Sequence, residues 1–474
     1  MYKIKSFVEE KIKNDTHLLT NFVFAFFPIS FILGSFAVNS NLLLFCGLGI
    51  YYLKSKILRT KLDWFIKIIF LFFFVVFLST SLSFFQSLYF QDDSSMSLTR
   101  FTKSMLFFRF FLLLITIYYL HQANILKFKY FFITTTFATI FVSLDIIFQY
   151  IFGFNTIGLQ GHWYNTGFFG DEVIAGGYLQ RFSFFAIFFT ILTFNNKNYF
   201  KFISTSIVVC ILGSAILFSG NRMPLIIFIF GLFFILLFDL KIRKIFLTSL
   251  VVFLVILNFL ISSNDTNKMR LGNFYNDAKG ILYVFTEKVF PKLIKNNKNS
   301  IVKKDSSTES EKNDSLKFRH QSFHERIFLT AIDTWKFNKI LGNGIKAFRF
   351  DCLKLKEIPG INMEEDLFPD KKNRLCSQHP HNYYLEVLTE TGIVGSIIVL
   401  IIAFSFIFFI FKSIKFIKKI NFENFILLSS IISLTLETLP LKSTGSLFTT
   451  NNATYLILIG SIILCYRKNF KTKR

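Results

Sequence analysis

Long, nearly uncharged apolar runs recur from one end of the chain to the other, joined by short basic connections, and that recurrence leaves little choice of fold. A bilayer core is about 30 Å thick and takes about 20 helical residues to cross. Within it every backbone N–H and C=O needs an internal partner, which only helices and closed barrels provide. The runs are continuous rather than alternating, so they read as helices. About twelve are legible, in 18–38, 41–53, 65–85, 105–120, 130–152, 173–194, 202–219, 223–240, 246–262, 393–411, 424–440 and 453–466, the second being short. Composition agrees: 17% of the residues are charged, against about 25% in soluble domains. The 69 Phe among 474 residues accompany abundant Lys, Asn and Ile, which reads as the bias of an AT-rich genome rather than as an aromatic function.

The net charge of +24 does not point to nucleic acid, because no basic stripe with interleaved aromatics appears. It is spent on orientation instead. With the N-terminus in the cytoplasm and alternating crossings, the inside loops hold Lys54, Lys56, Arg59 and Lys61; Lys127 and Lys129; Lys197 and Lys201; Lys241, Arg243 and Lys244; and Lys412, Lys415, Lys418 and Lys419. The short outside loops hold Asp92, Asp93, Asp171 and Glu172. This positive-inside pattern predicts that both termini are cytoplasmic. Met1 to Asp15 is polar and basic and does not resemble a cleavable leader. The same alternation puts 263–390 outside, in the periplasm of a bacterium.

The expected fold is an all-α integral membrane protein of about twelve transmembrane helices. One large, mainly helical periplasmic loop lies between the ninth and tenth spans. Residues 1–262 form the first nine spans, 263–390 the loop and 391–474 the last three spans. Within the loop, 296–315 is rich in Lys, Asn, Ser and Glu and reads as a flexible linker. Phe323, Ile327, Ala331 and Trp335 recur at helical spacing, with Gly342-Asn343-Gly344 as the stop. Cys46, Cys210 and Cys465 lie in apolar runs and read as packing residues. Cys352 and Cys376 share the loop, where an oxidising compartment permits a disulfide between them.

Chemistry concentrates where this loop re-enters the membrane, at His379-Pro380-His381-Asn382. Pro380 suits a first helical turn, and nothing from His381 to Thr391 interrupts one. On that helix His381, Leu385, Leu388, Gly392 and Gly395 share a face, and the two glycines admit a close neighbouring helix. The positive end of the helix would favour a neutral imidazole at His381. Taken alone, such a histidine reads first as a polar residue at headgroup level.

The longer pattern is His381-Asn382, nine residues, Gly392, two residues, Gly395, preceded by His379-Pro380. It resembles the O-antigen ligase and polymerase superfamily of bacterial membrane glycosyltransferases. Ser219-Gly220-Asn221-Arg222 is similar to that family's Ser/Gly-Arg step. His324-Glu325-Arg326, Trp335 and Gly342-Asn343-Gly344 are similar to its Arg…Trp…Gly-x-Gly segment. The resemblance spans about 160–400. It implies a glycan donor on undecaprenyl pyrophosphate and an acceptor hydroxyl, with lipid A–core or another glycan as the acceptor. His381 would then take the hydroxyl proton, and Arg222 and Arg326 would hold the leaving pyrophosphate with planar, permanently charged forks. His324, His379, Asn382, Gly392 and Gly395 would support them. Pyrophosphate leaves readily, so neither metal nor cofactor is called for. The implied location is the bacterial inner membrane, with the catalytic face periplasmic.

The same residues also suit a polymerase or a protein O-oligosaccharyltransferase. A polyprenyl-glycan flippase or carrier is the reading from another class. Carriers usually show charged or broken midplane helices and internal repeats. Here Asp145 and Arg109 are the notable charges within spans, and no repeat is evident.

Overall fold

The computed structural model describes residues 17–467, apart from 55–61, 90–93, 162, 237–241, 264, 266–267, 270–271, 273–322, 365, 367, 369–370, 415–419 and 441. The linker expected at 296–315, together with Asp92 and Asp93, lies outside the described residues. The first half carries α1 (Leu18–Ala25), α2 (Phe27–Ile32), α3 (Ser35–Leu53), α4 (Trp64–Tyr89), α5 (Ser94–Gln122), α6 (Phe128–Phe152), α7 (Ala175–Thr193), α8 (Asn198–Phe218), α9 (Arg222–Leu236) and α10 (Arg243–Ser262). After the long connecting segment come α13 (Tyr383–Ile414), α14 (Phe422–Glu437) and α15 (Thr450–Arg467). Helix therefore occupies each of the expected runs. By length and composition, eight helices among the described residues are apolar enough to cross a membrane. The first run is split at Phe26 into α1 and α2, and α9 is short.

Phenylalanine fills the bundle core. Phe24, Phe27, Phe45, Phe131, Phe132, Phe182, Phe185 and Phe188 are almost wholly buried. Phe24 meets Phe45, Phe128 and Phe131 at ring centroid distances of 5.3–5.6 Å, a spacing at which aromatic pairs attract beyond their area burial.

The described part of the segment between α10 and α13 holds α11 (Phe323–Trp335), the four-residue α12 (Phe348–Asp351) and a 3-10 turn at Cys352–Glu357. It also holds a two-residue parallel pair, β1 (Ile361–Asn362) with β2 (Lys372–Asn373). Ile327, Ala331, Phe348 and Cys352 form a small core of their own, against which Leu385 of α13 packs. The sulfurs of Cys352 and Cys376 are bonded, with Cα atoms 5.6 Å apart. This crosslink ties the segment leading to His379 back onto the 3-10 turn that follows α12.

The decisive backbone feature is a break in α13. Gly392 has φ +63° and ψ −161°, a region essentially reserved for glycine. The break frees backbone groups on both sides, and residues 339–344 satisfy them. Asn343 N–H donates to the Thr389 carbonyl (3.0 Å) and Gly344 N–H to that of Glu390 (2.9 Å). Ile393 and Val394 N–H donate to the carbonyls of Lys339 (2.9 Å) and Ile340 (3.2 Å). Ser79 Oγ on α4 adds a bond to the Glu390 carbonyl (2.8 Å), and Thr80 Oγ1 accepts from Ile345 N–H (2.9 Å).

Three expectations change in consequence. Gly342-Asn343-Gly344 does not stop α11, which ends at Trp335; it clamps the broken helix. Gly392 admits a loop backbone rather than a helix, since a Cβ there would collide with Ile340 and Gly342, and one on Gly395 would strike Thr391. His381 is not on the helix, which begins at Tyr383. It stands before it in the left-handed region at φ +55°.

Gly34 also has a positive φ, but with open space where a side chain would project. Gly34→Ala is expected to cost about 1–3 kcal/mol from backbone strain alone. Gly392→Ala adds overlap with another backbone and should cost about 2 kcal/mol more. Thermal unfolding in detergent compares them; equal losses would show that the 339–344 contact contributes nothing.

Candidate active site

A cavity of about 1490 Å³ opens at the end of the bundle where α8 finishes and α7, α9 and α13 begin. The sequence steers four local structures into its wall. α8 ends at Phe218, and Gly220 turns the chain at φ +80°. Asn221 locks the turn, its Oδ1 accepting from Gly176 N–H (3.1 Å) and its Nδ2 donating to the Val173 carbonyl (3.2 Å). Arg222 then opens α9 and faces the cavity.

Asn382 caps α13. Its Oδ1 accepts from Tyr384 (3.0 Å) and Leu385 (3.2 Å) N–H, the bonds that favour Asn at this position. Its Nδ2 donates to the Pro440 carbonyl (2.6 Å). The left-handed turn at His381 sends that residue's carbonyl to Thr444 N–H (2.9 Å). The strand before α13 and the loop after α14 are thereby stitched together.

Three imidazoles meet here. The rings of His379 and His381 have centroids 4.2 Å apart, and those of His324 and His381 5.6 Å apart. His324 and His379 line the cavity, whereas the His381 ring stands beside them with Nε2 3.2 Å from Ser377 Oγ. Burial, then the neighbouring His379 and His324, press the His381 pKa down to about 4. Burial likewise lowers His379, assisted by the nearby Arg349 and Lys346. Both rings are therefore neutral at physiological pH. For His381 the cause is desolvation and crowding with like groups, not the helix dipole.

A buried ionic cluster lines the same cavity. Arg181 Nη2 reaches Glu437 Oε1 (2.6 Å), and Arg181 Nε reaches Oε2 (3.1 Å), a two-pronged grip. Lys442 Nζ pairs with the same carboxylate and with Gln180 Oε1 (2.9 Å). Tyr383 Oη donates to Glu437 Oε1 (2.7 Å), and Asn452 Oδ1 accepts from Arg181 (2.7 Å). Arg181, Glu437, Lys442 and Asn452 all line the cavity with Arg222. Two cations thus share one carboxylate, and Arg222 adds a third positive charge.

Arg326 is placed differently from Arg222. It is 7% exposed on α11, its Nη2 donating to the carbonyls of Glu364 and of Arg374 (3.0 Å), and it does not line the cavity. Its Nη2 is engaged in folding the segment that leads to α13. Next to it Arg374 Nε bonds Asp333 Oδ2 (2.7 Å). Burial opposes ionisation of Asp333, but Lys336 and Arg374 overcome it and hold the carboxyl below its ordinary range.

Residues 207–400 match the family model described as O-antigen ligase. That match supports the O-antigen ligase superfamily. No curated protein matches the chain. The family is one of membrane glycosyltransferases of the ligase and polymerase type, and the helical, apolar architecture agrees with a membrane enzyme. The matched stretch runs from α8 into α13 and contains Arg222, the three histidines, Gly392 and Gly395.

Arg181, Glu437 and Lys442 lie outside that stretch and were not among the expected site residues. A signal for them existed. Arg181 falls inside the apolar run 173–194 and Glu437 inside 424–440, and charges within spans are costly enough to mark function or pairing. What the sequence withheld was that the two face each other across 256 residues.

Glu437 is 1% exposed between its two cations. Glu437→Gln is therefore expected to destabilise the protein by about 3–5 kcal/mol, the cost of stranding buried charge. Adding Lys442→Met should recover part of that loss. Thermal unfolding of both variants is the check; a single variant as stable as the parent would remove the ion cluster as a structural element.

Proposed function

We propose that this protein is an O-antigen ligase-like glycosyltransferase that moves a glycan from undecaprenyl pyrophosphate to a lipid A–core hydroxyl by metal-independent inverting displacement. The reading rests on one observation: a single cavity is lined both by imidazoles and by Arg222, Arg181 and Lys442. The acceptor oxygen attacks the anomeric carbon as the bond to the diphosphate oxygen breaks. The hydroxyl proton goes to the neutral His379–His381 pair, and undecaprenyl pyrophosphate departs toward the cations.

Arg222 is the proposed pyrophosphate ligand. Arg181 and Lys442 supply a fixed positive field, held in place by Glu437 before the diphosphate develops charge. Arg326 is assigned a positioning part, since its Nη2 is taken by two backbone carbonyls and it does not line the cavity. In this reading the cavity end of the bundle faces the periplasm, and both termini face the cytoplasm.

His381→Ala and His379→Ala should each lower transfer about 10²–10⁴-fold, the range of a lost general base, without loss of membrane insertion. Full activity of His381→Ala with inactive His379→Ala would move the base to His379 alone. Arg222→Lys should also lose activity although it keeps its charge, because the planar fork is gone; an unchanged rate would take pyrophosphate away from Arg222.

A base works only when unprotonated. With the His381 pKa pressed down to about 4, kcat/KM should stay level from neutrality into mild acid and fall as pH drops through about 4. A break near the ordinary imidazole value of about 6.5 would contradict a desolvated base. Loss of the gene separates ligase from polymerase. Bare lipid A–core with polymer accumulating on its carrier supports the ligase; cores bearing one repeat unit would make the protein a polymerase.

A further inference from the structure

The segment between α6 and α7, residues 153–174, has neither a helix crossing nor the character of a water-exposed loop. The chain carries 53 Lys and Arg, yet none falls in this stretch. Its exposed large side chains are apolar and aromatic, with Ile157 and Trp163 each 65% exposed, while the exposed acids Asp171 and Glu172 stand together at its α7 end.

The segment also turns back along α6 rather than leaving its end. Thr156 donates through both N–H (3.0 Å) and Oγ1 (2.6 Å) to Asp145 Oδ1. Asp145 lies seven residues before the helix ends at Phe152, about 10 Å back along the axis. Phe168 stacks on Phe141 at 5.0 Å, about 16 Å back. Phe141 belongs to a stripe of exposed apolar residues on α6 with Phe137, Leu144 and Phe152. On a helix apolar and long enough to cross a membrane, such a stripe meets lipid. The segment's apolar tip continues that stripe.

Irregular backbone at this depth is tolerated only when its polar groups find partners in the protein. They do so here. Asn155 Oδ1 accepts from Ile157 (3.1 Å) and Leu159 (2.8 Å) N–H, and its Nδ2 donates to the Gly167 carbonyl (2.8 Å). Gln149 of α6 donates to the Leu159 carbonyl (3.1 Å) and accepts from Gly167 N–H (2.8 Å). Asn165 ties the far side to the end of α8 through the Phe218 carbonyl (2.7 Å). Asp145, a conspicuous acid within a span, is thus employed in anchoring this backbone.

We propose that residues 153–174 form a re-entrant hook seated in the lipid monolayer, its outer face in contact with acyl chains and its inner face forming a wall of the cavity. Tyr164, Phe169, Val173 and Ile174 supply that inner face. Its partner is the lipid surface itself, so the cavity is separated from lipid at this side by one layer of ordered chain. The proposal does not depend on which glycan is transferred.

Trp163 reports its own surroundings. The chain has three tryptophans, Trp64, Trp163 and Trp335, so Trp64→Phe/Trp335→Phe leaves it as the sole indole. In nanodiscs, lipids brominated near the headgroup end of the acyl chain should quench most of its emission. Lipids brominated near the chain terminus should quench less, and aqueous iodide should have little effect. Strong iodide quenching with none from bromolipid would place the segment in water and overturn the proposal. Protection from both quenchers would show that protein covers the tip, and overturns it equally. If the double variant does not fold, the difference in quenching between the native chain and Trp163→Phe gives the same comparison.

Discussion

Two glycine backbones in contact hold this molecule's site together. Gly342 and Gly392 approach so closely that a Cβ on either would overlap the other's chain. The contact exists because α13 breaks at Gly392 and because residues 339–344 satisfy the amides and carbonyls released on either side. In a bilayer an unsatisfied peptide group costs several kcal/mol, so the break and the clamp are stable only together. The pairing fixes the segment before α13 against α13 itself, and with it the position of α11 and the histidine segment.

The clamp explains how a segment with a small core of its own can contribute to a site. Ile327, Ala331, Phe348 and Cys352 would form little by themselves. Docked on α13 and crosslinked through Cys352 and Cys376, they bring His324 within 5.6 Å of His381. The cations are held differently. Glu437 grips the largely buried Arg181 and Lys442 at the cavity lining, and preorganised, partly desolvated charge acts more strongly than charge in solution. Imidazoles kept neutral by burial, and guanidinium and ammonium kept charged by pairing, are complementary demands on a single space.

Much of this was legible in residue order. Apolar runs marked where helices form. The His-Asn…Gly…Gly pattern pointed to the segment around His381, and Arg222, singled out from its motif, lines the cavity. The errors share one cause. His381 was read onto a helix because periodicity cannot see that Asn382 caps it one residue later. Arg326 was read as a phosphate ligand because a guanidinium looks the same in a string of letters whether its partner is a substrate or a carbonyl 48 residues away. Gly342-Asn343-Gly344 was read as a local stop when its hydrogen bonds run to residues 389 and 390.

By itself the sequence determined the all-helical membrane architecture, because hydrocarbon imposes its requirement on each apolar run separately and locally. It also determined which short motifs carry unusual residues. Only the tertiary structure decided which of those residues share a cavity, which imidazole faces it and which charges neutralise one another. Those outcomes depend on contacts between segments distant in the chain, such as Arg181 with Glu437, and each is set by the packing of several helices at once rather than by the letters of any one.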